Sequence, residues 1–359
     1  MSFNTNFYSE LCYLNGTQNG PCHFADIKSV PEDFKVDELM TVDHSGEGEH
    51  LWLEVQKTAQ HTDQVAKSLA KLTETHIKNI GFSGMKDYRA QTSQWFSVCL
   101  PGVKDQDLPD WSALNNDNVE VKQVCRHHRK LKRGTHQGNH FKIRLRNYQG
   151  QAHELEQAIA AITHSGVPNY FGEQRFGRGG SNLQQALDML GSGKKIKQRQ
   201  KRSMLLSAAR SWLFNLVLSE RLKQGNWLIP QEGEPLNLSG SKQLFIPNDL
   251  QELSQRIENH DVNTTAPLWG INAKKIMEQS TAFAQFESEV IHRVPKFAEG
   301  LLDEKLEYAR RSIRCLPQQL QWKFLNDEKT DIQLSFYLAK GQFATSVLRE
   351  IVQENGSQK

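Results

Sequence analysis

An α+β fold with a helix-rich middle is what this chain predicts, on three observations. Segments of strand composition gather towards its two ends, helical periodicity is enriched between them, and 359 residues suffice for two domains with cores of their own.

The first element, Lys28 to Glu38, reads K-S-V-P-E-D-F-K-V-D-E. Pro31 cannot donate to a ladder and opens a turn, after which Phe34 and Val36 alternate with polar neighbours as in a half-buried strand. Leu51 to Val55 has strand composition. Thr62 is expected to cap a helix in which Val65, Leu69 and Leu72 recur at helical spacing and which ends before Gly81. The run from Gly81 to Val98, G-F-S-G-M-K-D-Y-R-A-Q-T-S-Q-W-F-S-V, reads as a tight glycine turn followed by a strand from about Trp95 to Leu100. Glycines at 81 and 84 would permit backbone angles that other residues resist, and the turn delivers one carboxylate, Asp87. An acid presented at a strand edge suits a nucleophile or a base, although Lys-Asp after glycine also suits a solvated turn.

Gly134 to Leu145 reads G-T-H-Q-G-N-H-F-K-I-R-L, with Phe141, Ile143 and Leu145 on one strand face and Lys142 and Arg144 on the other. A helix follows from about Gln151 to Thr163 through Leu155, Ile159 and Ile162. A longer one begins near Ser203, where Leu205, Leu206, Ala209, Trp212, Leu213, Leu216 and Val217 form a wide buried stripe. A fourth is expected through Leu302, Leu306, Ala309 and Ile313, stopping before Pro317, and Ile332 to Leu338 closes the series as a strand. No internal repeat or low-complexity tract interrupts the chain.

The formal charge is +3, from 44 basic and 41 acidic residues, so affinity for nucleic acid must come from clustering. Two clusters exist. Arg126, Arg129, Lys130, Lys132 and Arg133 lie in R-H-H-R-K-L-K-R without an acid, and Lys194 to Arg202 reads K-K-I-K-Q-R-Q-K-R. One such run fits a solvated loop; two flanking glycine and aromatic motifs point to RNA phosphates. Five cysteines at 12, 22, 99, 125 and 315 form no C-x-x-C pair, which argues against a disulfide framework or zinc site and suits a reducing cytoplasm. Residues 1–20 are polar and no run approaches membrane-spanning length, so neither a secretory leader nor a membrane span is expected.

Other chemistries fit poorly. Asp43, His44, Glu47, Glu49 and His50 crowd around G-E-G-E, where two glycines favour a polar hairpin turn over a metal site. The glycines from Gly177 to Gly180 lack the P-loop lysine and hydroxyl and fail the dinucleotide spacing. His127 and His128 lie among cations, which disfavours their protonation and suits RNA contact better than acid–base work. No serine sits in a nucleophile elbow, and no glycine-rich cofactor turn follows a strand as a methyltransferase would need.

The order G-x-K-D-x-x-A-x-T-x-Q around Asp87 resembles the signature of the TruD family of pseudouridine synthases. Four further segments resemble that family: P-E-D-F-x-V-x-E at Pro31–Glu38, G-N-x-F at Gly138–Phe141, P-N-Y-F-G-x-Q-R-F-G at Pro168–Gly177, and G-Q-F-A-T-S-V-L-R-E at Gly341–Glu350. The resemblance spans residues 28 to 350. It implies a pseudouridine-synthase catalytic core, a mixed and mainly antiparallel sheet with helices and permuted strand order, formed by residues 1–165 and 313–359. An inserted α/β domain of the TRUD type would occupy 166–312, with the glycines at 172, 177, 179 and 180 acting either as a hinge or as tight packing points.

The activity implied is isomerisation of uridine 13 of tRNA to pseudouridine, without metal or cofactor, in the cytoplasm, by a monomer with no obligatory protein partner. Asp87 would be the catalytic carboxylate and Lys28 its cationic partner. Phe141 would stack on the flipped base, Asn139 would orient the base or the aspartate loop, and Phe34 would line the same pocket or simply pack in its strand. The competing reading from another class is a non-catalytic RNA-binding or RNA-folding protein on the same scaffold.

Overall fold

The inward positions Phe34, Val36 and Glu38 lie along one strand, and the same two-residue alternation runs through Phe141, Ile143 and Leu145 of the strand antiparallel to it. The computed structural model describes residues 7–41, 46–193, 196–247, 249–278 and 281–355. Its chain divides into two units. One comprises Cys22–Leu155, Pro317–Gln342 and Gln353–Lys359; the other comprises Met1–Pro21, Glu156–Leu316 and Phe343–Val352.

The first unit is built on a ten-stranded mixed sheet among the described residues. Its strands include β1 (Phe24–Ile27), β2 (Phe34–Leu39), β3 (His50–Thr58), β4 (Ile80–Phe82), β5 (Gln91–Cys99), β6 (Val119–His127) and β7 (Gly138–Gln149). Across the sheet the order is Gln318–Phe324, Ile332–Ala339, β7, β2, β5, β3, β6. Only β2 with β5 and β1 with Gln353–Glu354 pair in parallel. Strands β1 and β2 lie end to end along β7. Strands β2 and β4 likewise share one edge of β5. Helix α1 (Thr62–Leu72) lays Val65, Ala66 and Leu69 on Leu51, Leu53, Val55, Phe96 and Val98. That packing follows from its apolar stripe at helical spacing.

The second unit is organised around the helix Arg199–Lys223, whose Leu205, Ala209, Trp212, Leu213 and Val217 are buried. Ser181–Ser192, Ala282–Ile291 and Pro295–Asp303 pack around it, through residues such as Leu183, Val290 and Phe297. Phe7, Leu11 and Cys12 belong to the same core, which is why the described residues 7–21 go with this unit.

Three sequence expectations change. No helix runs from Leu302 to Ile313: the chain leaves its helix at Asp303, turns through Lys305 at φ 53°, and pairs Ala309–Ser312 with Thr265–Leu268. The apolar spacing there is compatible with a helix, but pairing with the neighbouring strand and a buried seat for Arg310 decide otherwise. Thr62 is the first residue of α1, and His61 holds the cap position without a side-chain bond to the helix. Gly81 and Gly84 do not take positive φ. Gly81 serves close approach instead, since a Cβ there would meet the Leu131 carbonyl oxygen at 2.3 Å. The positive angles occur at Gly177, Gly179 and Gly180, where Glu173–Phe176 turns into the following helix, and a Cβ at Gly177 would meet Ser181 Oγ at 2.6 Å.

Candidate active site

Asp87 rides on residues 83–90, which join β4 to β5, and the segment leading from β3 into α1 holds that loop from four sides. The Thr62 hydroxyl accepts the Lys86 N–H at 3.1 Å and donates to Gln94 Oε1 at 2.9 Å. Lys57 Nζ donates to the Asp87 carbonyl at 3.1 Å, and the Ala59 N–H donates to the Ala90 carbonyl at 3.4 Å. Tyr88 stacks on His61 with ring centroids 4.6 Å apart. Gln94 Nε2 secures the entry of the loop through the Gly84 carbonyl at 3.1 Å.

Lys28 sits in the break between β1 and β2 at φ 58°. Its ammonium forms an ion pair with Asp87 Oδ2 and lies 4.0 Å from the centre of the Phe34 ring. Asp87 Oδ1 accepts the Arg89 N–H at 3.1 Å. Burial would raise the Asp87 carboxyl; the Lys28 hydrogen bond and charge, the Arg89 N–H and the Lys57 charge outweigh it, so the carboxyl stays below its usual range. The result is a carboxylate that is ionised at neutral pH although half-buried.

Lys86 points elsewhere, as neighbours on an extended segment should. Its Nζ pairs with Glu38 Oε2 at 2.9 Å and donates to Asn139 Oδ1 at 2.5 Å. Asn139 therefore engages the aspartate loop. Phe141 lies on the same face of β7 two residues on, stacked on Phe336 at 5.5 Å and edge-on to Phe34 at 6.0 Å. Both Phe34 and Phe141 are buried, and Lys28, Phe34, Asp87, Asn139 and Phe141 form one neighbourhood linked through Lys28 and Lys86.

The roles of Lys57 and Glu38 went unnoticed in the sequence, yet both carried a signal. Lys57 continues the inward series Leu51, Leu53, Val55, and Glu38 continues Phe34, Val36. A charge at a core-facing position of a strand must be paired, and is therefore worth asking about. Burial pushes the Lys57 ammonium down to about 8, against the upward pull of Asp87.

The basic run divides by side chain. Arg126, at the end of β6, spends its guanidinium on the Gly48 and Val103 carbonyls at 2.9 and 2.7 Å and on Asp105 at 2.6 Å. The Lys130 ammonium donates to the Lys78 carbonyl, and the buried Leu131 anchors its N–H on Ser97 Oγ at 2.9 Å. Arg129, Lys132 and Arg133 are exposed. His127 stacks on Trp52 at 4.0 Å, a structural contact, while His128 is exposed. In the second run Lys194 and Lys195 lie outside the described residues; Lys197, Arg199 and Lys201 are exposed, and Arg202 pairs with Glu304. Asp43 and His44 also lie outside them, and no metal-holding group of His, Cys, Asp and Glu occurs among the described residues. No helix among those residues is long and apolar enough to cross a membrane.

The family model described as tRNA pseudouridine synthase D (TruD) matches residues 13–185 and 180–351. The protein named tRNA pseudouridine synthase D of Methylococcus capsulatus is 42% identical over 328 residues, covering 91% of this chain and 90% of the relative. Its namesake in Aeromonas hydrophila is 41% identical over 345 residues, covering 96% and 94%. A crystal structure of the TruD protein of Methanosarcina mazei superposes with a TM-score of 0.70 at 20% identity over 95% of both chains, a likeness of fold. The motifs around Asp87, Phe141 and Pro168 are thus parts of one continuous match, and the chain belongs to the TruD family of tRNA pseudouridine synthases.

Proposed function

We propose that this protein isomerises uridine 13 of tRNA to pseudouridine, with Asp87 as the catalytic carboxylate. One observation carries the reading: the carboxylate is kept ionised by Lys28 at the edge of a buried aromatic cluster. The reaction breaks the N1–C1′ bond and forms a C5–C1′ bond, while the hydrogen on C5 is lost as a proton and N1 regains one. Substrate and product are isomers, so the balance calls for no redox partner and no group donor. It calls for a charged oxygen that attacks the sugar or the base, or that assists departure of the uracil.

The supporting residues have distinct tasks. Lys28 keeps Asp87 ionised, Lys57 holds its main-chain carbonyl, and Lys86 ties the loop to Asn139. Phe141 offers the ring on which an extruded uracil regains part of its lost stacking. Arg129, Lys132 and Arg133 supply charge for tRNA phosphates. The sheet unit acts as the catalytic domain, and the insertion at 166–312 lies within the helical unit.

The test is direct. Asp87→Asn is nearly isosteric and should retain the fold and most tRNA affinity, while mapping of pseudouridine at position 13 of a tRNA transcript shows no product. Turnover by the purified variant would remove Asp87 from the mechanism. A wild-type protein that binds tRNA and never isomerises it would identify an RNA-binding protein on this scaffold.

A further inference from the structure

Asn139 has a fixed amide orientation, and the reason lies in donor chemistry. A lysine ammonium only donates, so the Asn139 atom 2.5 Å from Lys86 Nζ must be the amide oxygen. Lys86 is held there by Glu38 at 2.9 Å, and the side chains of both are nearly fully buried, 7% and 0% exposed. Glu38 is fixed in turn, since its Oε1 accepts the Trp95 N–H at 3.3 Å. Glu38 and Asn139 are directly opposed on β2 and β7, so the three groups meet on one face of the sheet. The Asn139 NH2 group has no acceptor among the described residues. It is left on the strand face that also carries Phe141.

We infer that the Glu38–Lys86 pair makes Asn139 a one-way reader of the target base, presenting an NH2 group that donates to the C4 carbonyl of uracil and refuses the C4 amino group of cytosine. The inference rests on the pseudouridine synthase reading and deepens it to the choice of base. A free asparagine can flip and satisfy either edge, because its two ends are a donor and an acceptor of similar shape. An asparagine whose oxygen is already taken by a buried ammonium cannot. Cytosine would bring its amino donor against the amide donor and leave both unpaired in a closed site, which is how a polar pocket discriminates most strongly. Lys86 and Glu38 are positioning residues here, acting through Asn139.

The experiment pairs a change in the protein with a change in the substrate. Rates of pseudouridine formation are compared for tRNA carrying uridine, 4-thiouridine or 2-thiouridine at the target position. Sulfur accepts hydrogen bonds poorly, so the wild-type protein should lose roughly 2- to 10-fold in kcat/KM on the 4-thio substrate, the worth of one neutral hydrogen bond. The 2-thio substrate should lose less. In Lys86→Met the overall rate falls, but the ratio of uridine to 4-thiouridine collapses towards one, as it does in Asn139→Ala. Lys86→Arg, still donor-only, restores the ratio, and Glu38→Gln, nearly isosteric, lowers it if Lys86→Met does not fold. A 4-thio penalty that persists in Lys86→Met or in Glu38→Gln overturns the proposal, as does a wild-type penalty confined to 2-thiouridine. Failure of the wild-type protein to isomerise ordinary uridine is a different result: it removes the enzyme reading itself.

Discussion

Each unit of this molecule buries charge, and the two do so differently. In the helical unit Arg310 meets Glu287 through two parallel bonds of 2.8 and 2.7 Å, and it also bonds Thr265 and Tyr308. Arg221 meets Glu234 at 2.5 Å and donates to the Asn226 and Ile229 carbonyls at 2.8 Å each. These guanidiniums are fully enclosed, with several acceptors each. Around the candidate site of the sheet unit the cations are lysines. Among the described residues Lys28 reaches one carboxylate oxygen and Lys57 one carbonyl, and the Lys28–Asp87 pair remains 18% and 27% exposed. A planar, multiply bonded guanidinium suits a site that must stay shut; a point-charge ammonium beside a partly open carboxylate suits one that must meet another molecule.

The contrast can be broken most severely in the helical unit. Arg310→Met strands the Glu287 carboxylate in the core and should cost about 3–5 kcal/mol of stability. The double variant with Glu287→Met should recover most of that loss. Urea midpoints measure both, and a single variant within 1 kcal/mol of wild type would show that water reaches the pair, on the order of a solvent-screened bridge.

Lys28→Met comes next and should act on activity more than on stability. Asp87 has a depressed carboxyl, so its contribution to folding is present above the unfolded pKa and lost as pH falls through the folded one. Without Lys28 the carboxyl rises, and the acid limb of turnover should move up by about 1–3 pH units. An acid limb that stays in place would mean that Lys28 serves substrate contact alone.

A smaller effect is expected on RNA affinity. Neutralising Arg129, Lys132 and Arg133, the exposed members of the first run, should flatten the salt dependence of tRNA binding by roughly 2–3 units of log–log slope. Arg126, whose guanidinium is spent on Gly48, Val103 and Asp105, should leave the slope unchanged when replaced. Equal effects from both would dissolve the distinction between tethered and free cations.

The subtlest prediction concerns Lys57. Its ammonium is depressed from 10.5 to about 8, so the neutral form is favoured in the folded state relative to the unfolded chain. Stability should therefore rise between pH 8 and 10.5, while turnover falls a few-fold as the charge beside Asp87 disappears. Lys57→Met should remove both trends. Parallel decline of stability and activity over that range would assign the alkaline limb to another group.

Much of the candidate site was legible before the structure because it is written in short motifs. Asp87, Asn139 and Phe141 each sit inside a contiguous string of family-like residues, Lys28 lies just ahead of another, and all four come together. The strands from Leu51, Trp95, Phe141 and Ile332 and the long helix after Ser203 were legible through periodicity, which local sequence carries in full. What misled was local reasoning about roles that are not local. Thr62 has the chemistry of a cap, and its hydroxyl went instead to the Asp87 loop 24 residues away. Leu302 to Ile313 has a helical rhythm, and strand pairing with Thr265–Leu268 overrode it.

By itself the sequence determined the chemistry on offer: one carboxylate in a distinctive turn, aromatic strands, an acid-free basic run and the family to which they belong. Which cation serves which anion was decided only by tertiary structure. Lys28, Lys57 and Lys86 are all lysines near Asp87 in space, but one pairs with its carboxylate, one with its carbonyl and one with Glu38 and Asn139. The physical reason is that a charge pair depends on distances of a few ångströms between residues up to 59 positions apart. Strand register and loop anchoring set those distances, and no local pattern of residue types encodes them.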